Sequence, residues 1–207
     1  MKNIITVGGQ GFLKECLRYL LEDKSINVKG YLGVDGFKPE VNSFDVQFLG
    51  YLDDYEIQEN DYFVICVGDI NMRKLYYERL KSKNAKFFNL IYDSNINPKY
   101  VQLGEANIFI RSFLTADIKV GNGNLFNIDV VIGHDVEIGD FNFVAPHTHF
   151  LGNSRLGSFN SIGTMSCLLP RAKVGDNNII APGSYMYKGC KNNGYYAGNP
   201  AIKLGDC

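Results

Sequence analysis

Every sixth residue from Val120 to Ile180 is apolar: Val120, Phe126, Ile132, Ile138, Val144, Phe150, Leu156, Ile162, Leu168, Val174 and Ile180. A period of six fits neither the 3.6-residue turn of a helix nor the simple alternation of a strand. A second period of eighteen lies over it. Val120-Gly121-Asn122-Gly123-Asn124 recurs as Ile138-Gly139-Asp140-Phe141-Asn142, as Leu156-Gly157-Ser158-Phe159-Asn160 and as Val174-Gly175-Asp176-Asn177-Asn178. The pattern predicts coils of three short strands. Each strand turns one side chain into a dry interior, and successive coils stack by parallel pairing about 4.8 Å apart. A buried Ile, Leu or Phe contributes about 1.5–3 kcal/mol, against the entropy of ordering its coil. Gly and Asn are expected at the corners for the backbone angles they tolerate. Gly121, Gly139, Gly157 and Gly175 stack, as do Asn124, Asn142, Asn160 and Asn178. Another corner is irregular, its column reading Gly133, Leu151, Leu169, and chemistry is expected there.

The first ninety residues carry a different rhythm. Lys2–Val7 is apolar and β-branched and runs into Gly8-Gly9-Gln10-Gly11, after which Cys16, Leu17, Leu20 and Leu21 follow helical spacing. Val28–Leu32, Val46–Leu49, Tyr62–Val67 and Phe87–Ile91 read as further strands, with a helix over Asn71–Lys81. Strands alternating with helices imply a small open parallel sheet, whose ligands bind at the carboxyl ends of the strands. The glycine turn after the first strand can present backbone N–H groups to an anion, or serve only as a tight turn. Asp93–Pro98 carries turn residues without period, which predicts domains 1–92 and 93–207, with coils from about Ile108.

Composition narrows the function classes. The formal net charge is −1 and there is no basic run, so a nucleic-acid-binding patch is not expected. The amino terminus reads as a first strand rather than a signal, and no apolar stretch approaches the roughly 20 residues that cross a bilayer. The five cysteines, 16, 66, 167, 190 and 207, form no CxxC pair; free thiols in the cytoplasm are the expectation.

All three histidines, 134, 147 and 149, lie in the coil region. Their separations of 13 and 2 do not bring them together on one wall, so no metal site is expected. His134 stands on the irregular corner, two residues after the inward Ile132, and Asp135 follows it. Gly152 occupies the same column one coil later, and Pro170 a coil beyond. Imidazole exchanges protons near neutral pH, a neighbouring carboxylate orients it, and a glycine above leaves a peptide N–H uncovered for an oxyanion. From spacing alone, His134 with Gly152 is an acyl-transfer pair or His134 is a solvated corner residue.

At these residues the sequence resembles the bacterial sugar O- and N-acetyltransferases, which include sialic acid O-acetyltransferases and the bacillosamine and perosamine types acting on nucleotide-linked amino-sugars. The likeness covers nearly the whole chain and rests on Gly8-Gly9-Gln10-Gly11, Val67-Gly68-Asp69 with Arg73, Ile132-Gly133-His134-Asp135, Leu151-Gly152-Asn153 and Ala197-Gly198-Asn199-Pro200-Ala201. It implies an α/β amino-terminal domain, a small Rossmann-like parallel sheet that binds the nucleotide-sugar, followed by an all-β left-handed parallel β-helix of hexapeptide repeats. It further implies acetyl-CoA as donor and a homotrimer. His134 matches the family's general base, Asp135 its acidic neighbour and Gly152 the backbone donor to the acetyl carbonyl. Thr164 and Pro182 fall on positions that touch acetyl-CoA. Gln10, Gly11 and Phe12, with Asp35 and Gly50, fall where the nucleotide-sugar is held. Two positions depart from the pattern. Phe143 stands where the family often has a cofactor histidine, a contact then lost or supplied by His147 or His149. Gly33-Val34-Asp35 replaces the usual paired acids. The resemblance leaves N- and O-transfer open, and a non-catalytic β-helix binding module remains the alternative outside enzymes.

Overall fold

The computed structural model describes residues 1–207 with the exception of the Gln10 side chain, so the expectation for that side chain lies outside the described residues. The chain divides into two compact units, Met1–Leu90 and Ile91–Cys207.

The first unit is a five-stranded parallel sheet. Its strands are β1 (Asn3–Gly8), β2 (Asn27–Gly33), β3 (Phe48–Tyr51), β4 (Asp61–Cys66) and β5 (Lys86–Phe87), in spatial order β3-β2-β1-β4-β5. Helix α1 (Gln10–Glu22) follows β1, and α2 (Ile70–Ser82) follows β4. The strand order reverses between β1 and β4, the position where open parallel sheets leave a crevice at their carboxyl ends. Ile4, Ile5 and Val7 of β1 and Phe63, Val64 and Ile65 of β4 are buried, as befits strands covered on both faces. Asp69 caps α2 through its side chain, which accepts from the Met72 N–H at 2.8 Å. The single strand expected over Phe87–Ile91 is two: Lys86–Phe87 closes this sheet, and Leu90–Tyr92 is a separate strand of a different one. The pattern could not show the break, because Phe87 and Leu90 are both buried and the interruption is local.

The second unit is a parallel β-solenoid of three faces. The first face stacks Val101–Leu103, Ile118–Val120, Glu137–Ile138, Arg155–Leu156 and Lys173–Val174. The second runs through Leu125–Phe126, Phe143–Val144, Ser161–Ile162 and Ile179–Ile180. The third stacks Phe113–Leu114, Val131–Ile132, His149–Phe150, Cys167–Leu168 and Tyr185–Met186. Register advances by eighteen residues per coil, as in Ile138↔Leu156, Val144↔Ile162 and Ile132↔Phe150. All eleven residues of the six-residue series are at most 5% exposed. Coiling begins with Leu90–Tyr92 rather than near Ile108: that strand stacks on Ile108–Ile110, and Asn95 bridges Phe113 eighteen residues on. Val101–Leu103 pairs with Ile118–Val120 across only seventeen residues, a spacing outside the regular period.

The corners are held by side chains. Asn142 donates through Nδ2 to Asn124 Oδ1 at 2.9 Å, Asn160 to Asn142 at 3.0 Å and Asn178 to Asn160 at 3.1 Å, all buried. The glycine column has a reason other than the one expected. Positive φ falls two residues later, on Gly123, Phe141, Phe159 and Asn177. The glycines themselves make room for the next coil: a Cβ at Gly139 would come 2.5 Å from Ser158 Oγ and 2.8 Å from the Gly157 carbonyl.

Two substitutions test this account. Asn142→Ala removes a rung and leaves buried neighbours unpaired, each costing about 1–3 kcal/mol, so chemical denaturation should show a loss of about 3 kcal/mol. Ser154 Oγ is, among the described residues, the buried side-chain polar atom without a partner, between Val136 and Ala172 in its column. Ser154→Ala should therefore be neutral or stabilise by about 1 kcal/mol. Equal losses in the two variants would contradict the ladder.

Candidate functional site

Three equivalent corner positions lie two residues after an inward residue, and they differ in what caps their N–H groups. On the glycine corner the next coil supplies the acceptor. Asn122 N–H donates to Asp140 Oδ1 at 2.6 Å, Asp140 N–H to Ser158 Oγ at 2.9 Å and Ser158 N–H to Asp176 Oδ1 at 2.7 Å. On the corner after the third face the same positions are His134, Gly152 and Pro170. Gly152 has no side chain to cap His134, and Pro170 offers no acceptor to Gly152. Accordingly the Gly152 N–H donates to no group among the described residues.

The His134 ring fills the space that Gly152 leaves. A Cβ on Gly152 would come 2.5 Å from His134 Nε2 and 2.6 Å from Cε1. On its other side, His134 Nδ1 lies 2.8 Å from Asp135 Oδ2. Asp135 reaches the ring from a left-handed backbone conformation, φ 59°, which aspartate tolerates better than most residues. With the carboxylate accepting from Nδ1–H, the lone pair of a neutral imidazole is on Nε2. Both side chains are more than half exposed. The corner thus joins an oriented proton acceptor to a peptide N–H free to bind developing negative charge, the two parts that acyl transfer to a nucleophile requires.

The other solenoid residues singled out from sequence lie elsewhere on the chain. Thr164 and Pro182 stack on the corner after the second face, where Thr164 Oγ1 donates to the Pro146 carbonyl at 2.8 Å. Phe143 is half-buried on the second face, between Leu125 and Ser161. His149 faces out of the third face, between Val131 and Cys167.

In the first unit, α1 begins at the carboxyl end of β1. Gly9 caps it without a side-chain bond, and its first turn holds no acid. A Cβ at Gly9 or Gly11 would meet nothing within 4 Å, so the backbone is uncrowded where the helix's first N–H groups lack intrahelical partners. Gly8 has the opposite constraint, since a Cβ there would strike the carbonyl oxygen of Cys66 on β4. Arg73 of α2 is buried and donates to the carbonyls of Val67 (2.9 Å) and Gly68 (3.3 Å). Burial pulls its pKa down to about 10, and the guanidinium remains charged at neutral pH.

Asp35 and Gly36 form a two-residue hairpin turn. Both have positive φ, 49° and 75°, and Val34 and Phe37 exchange backbone bonds at 3.1 and 2.8 Å, the geometry that an Asp-Gly pair favours. The Asp35 carboxylate is engaged by Arg79 at 2.6 Å and Tyr76 Oη at 2.9 Å, which together hold its pKa below the ordinary value. Gly50, with φ 108°, lies in the edge strand β3. Sequence reasoning singled out neither Arg79 nor Tyr76, because contacts 41 and 44 residues away leave no local signal.

No family model matches the chain. Solved structures do share its fold over nearly the full length. The acetyltransferase domain of PglB from Neisseria gonorrhoeae FA1090, in complex with acetyl coenzyme A, is 23% identical, with 99% of this chain and 100% of that one covered and a TM-score of 0.84. PerB from Caulobacter crescentus, in complex with CoA and GDP-perosamine, is 20% identical over 99% of this chain and 98% of that one, TM-score 0.85. WeeI from Acinetobacter baumannii AYE is 20% identical over 97% and 100%, TM-score 0.79.

The corner geometry makes its own prediction. Gly152→Ala should leave thermal unfolding nearly unchanged while displacing the His134 ring, read as a shift of its imidazole C–H resonances. Identical resonances in the variant and the parent would contradict the packing of ring on glycine.

Proposed function

We propose that this chain is an acetyl-CoA-dependent N-acetyltransferase acting on a nucleotide-linked amino-sugar. The observation that carries the reading is His134: its ring is oriented by Asp135 and packed on Gly152, whose N–H is uncapped. The fold it shares over nearly its full length with enzymes solved with acetyl-CoA, or with CoA and GDP-perosamine, supports the same reaction. The acceptor amine attacks the thioester carbonyl carbon and forms the C–N bond, its proton passing to His134 Nε2. The carbonyl oxygen takes up negative charge facing the Gly152 N–H. The C–S bond then breaks, and the proton on His134 passes to the departing CoA thiolate. Asp135, at Nδ1, holds the imidazole in the tautomer this needs.

Acetyl-CoA is proposed to lie against Thr164, Pro182 and Phe143. The nucleotide-sugar is proposed for residues 1–92, read as a Rossmann-like domain, along Gln10, Gly11 and Phe12 with Asp35 and Gly50 nearby. The uncapped N–H groups of α1 and the buried charge of Arg73 suit a diphosphate. Residues 93–207 are read as a left-handed β-helix that works as a cytoplasmic homotrimer; among the described residues no helix is long and apolar enough to cross a membrane. The distribution of charge supports assembly. Outward residues of the first face are Gln102, Lys119, Glu137, Arg155 and Lys173, whereas those of the third are Phe113, Val131, His149, Cys167 and Tyr185. Phe113 is 49% exposed and Tyr185 37%. An uncharged face beside a charged one is what a cyclic oligomer buries.

His134→Ala should lower kcat by about 10²–10⁴-fold with unfolding and acetyl-CoA affinity unchanged. The assay sets nucleotide-linked amino-sugars against free acidic sugars, and light scattering on the same protein should report a trimer. An unchanged kcat would remove His134 from the chemistry. Acetylation confined to hydroxyls of free acidic sugars would replace the N-transfer reading with O-transfer.

A further inference from the structure

The corner that carries Thr164 and Pro182 holds a second group of charged residues which the proposed reaction does not use. Arg111, Asp129 and His147 stand eighteen residues apart, in one column over three successive coils. Arg111 Nε lies 3.3 Å from Asp129 Oδ1, and His147 Nδ1 lies 3.8 Å from Asp129 Oδ2. The carboxylate is the deepest of the three, its side chain 36% exposed against 55% for Arg111 and 50% for His147. It lies within ion-pair distance of one nitrogen of each partner, and both basic side chains are at least half exposed.

All three residues occupy the left-handed region, with φ 49°, 59° and 58°. That conformation is the solenoid's own at these corners, shared by Asp117, Asp135, Asn153 and Arg171 beside His134 and by Phe141, Phe159 and Met165, so what sets this column apart is its run of charge. The level along the solenoid is informative too. Asp129 and His134 belong to one coil, and His147 and Gly152 to the next, as the pairing Val131↔His149 between them requires.

We infer that Arg111 and His147, braced by Asp129, form a fork that binds a phosphate group of a substrate. This rests on the acetyl-transfer reading for the identity of that substrate, though not for the binding itself. A guanidinium fixed at one edge presents its remaining N–H groups in the planar arrangement that suits phosphate oxygens. An imidazole beside it, with Nδ1 facing the carboxylate, adds a second donor once protonated. Two substrates of the proposed reaction carry phosphate: the diphosphate of the nucleotide-sugar and the phosphates of CoA.

The test uses the full-length chain, with Arg111→Gln and His147→Gln on exposed side chains. Calorimetric titration with inorganic pyrophosphate should show saturable binding that each variant weakens about tenfold. In the acetyl-transfer assay each should raise one KM by a similar factor with kcat nearly unchanged. Arg111→Lys should restore only part of the loss, because an ammonium lacks the planar pair of donors. A raised KM for the nucleotide-linked sugar, absent with the same sugar lacking its nucleotide, assigns the fork to the acceptor. A raised KM for acetyl-CoA, smaller with its 3′-dephospho form, assigns it to the donor. No saturable pyrophosphate binding by the parent chain, or binding that both variants retain within twofold, overturns the proposal. Pyrophosphate binding lost in the variants of a chain that transfers no acetyl group would sink the acetyltransferase reading and leave the fork standing.

Discussion

Parallel stacking at a fixed advance of eighteen residues is the constraint from which the rest of the solenoid follows. Once Ile138 pairs with Leu156 and Ile132 with Phe150, every sixth residue must turn inward, where water is excluded, and only apolar side chains are affordable there. The same register makes each corner a column. A side chain placed on one coil lies against the peptide of the coil before or after it, so chemistry at a corner is a matter of which residue sits one coil away. Small changes within a column then have large local consequences, because the backbone around them is already fixed by pairing on three sides.

The contrast between two corners shows this. Asp140, Ser158 and Asp176 place oxygen on the N–H below and the corner is satisfied and inert. Putting His134, Gly152 and Pro170 at the equivalent positions removes every acceptor, and the vacated space is filled by an imidazole. An unfilled donor close to the surface costs less than one in the core, since water reaches it, and the first unit keeps a comparable reserve in the uncapped start of α1 over Gly9 and Gly11. Both places leave backbone N–H groups without a protein acceptor on a rigid frame, the arrangement by which a fold can hold polar groups for a ligand.

How much of this could be read in advance depended on range. The inward series, the eighteen-residue register and the stacking of His134 beneath Gly152 are periodic, and periodicity survives in a bare sequence. The reason for the glycine column did not, because Gly139 is set by the close approach of the next coil and not by its own backbone angle. The division of Phe87–Ile91 into two strands was hidden because both halves are apolar. The engagement of Asp35 by Arg79 and Tyr76 spans more than forty residues with no repeat to announce it. Arg111, Asp129 and His147 are the instructive case: they do lie in one eighteen-residue phase, and aligning the coils for charge as well as for hydrophobicity would have found them.

The central claim is that the Gly152 N–H is held open for the oxygen of an acyl group. The most direct measurement is the amide ¹H–¹⁵N resonance of Gly152 as acetyl-CoA is added, with the amides of Asn122 and Asp140 as capped references. The account predicts that the Gly152 proton moves downfield and exchanges more slowly on binding, while the two references stay where they were. Saturable binding of acetyl-CoA with Gly152 unmoved would contradict it.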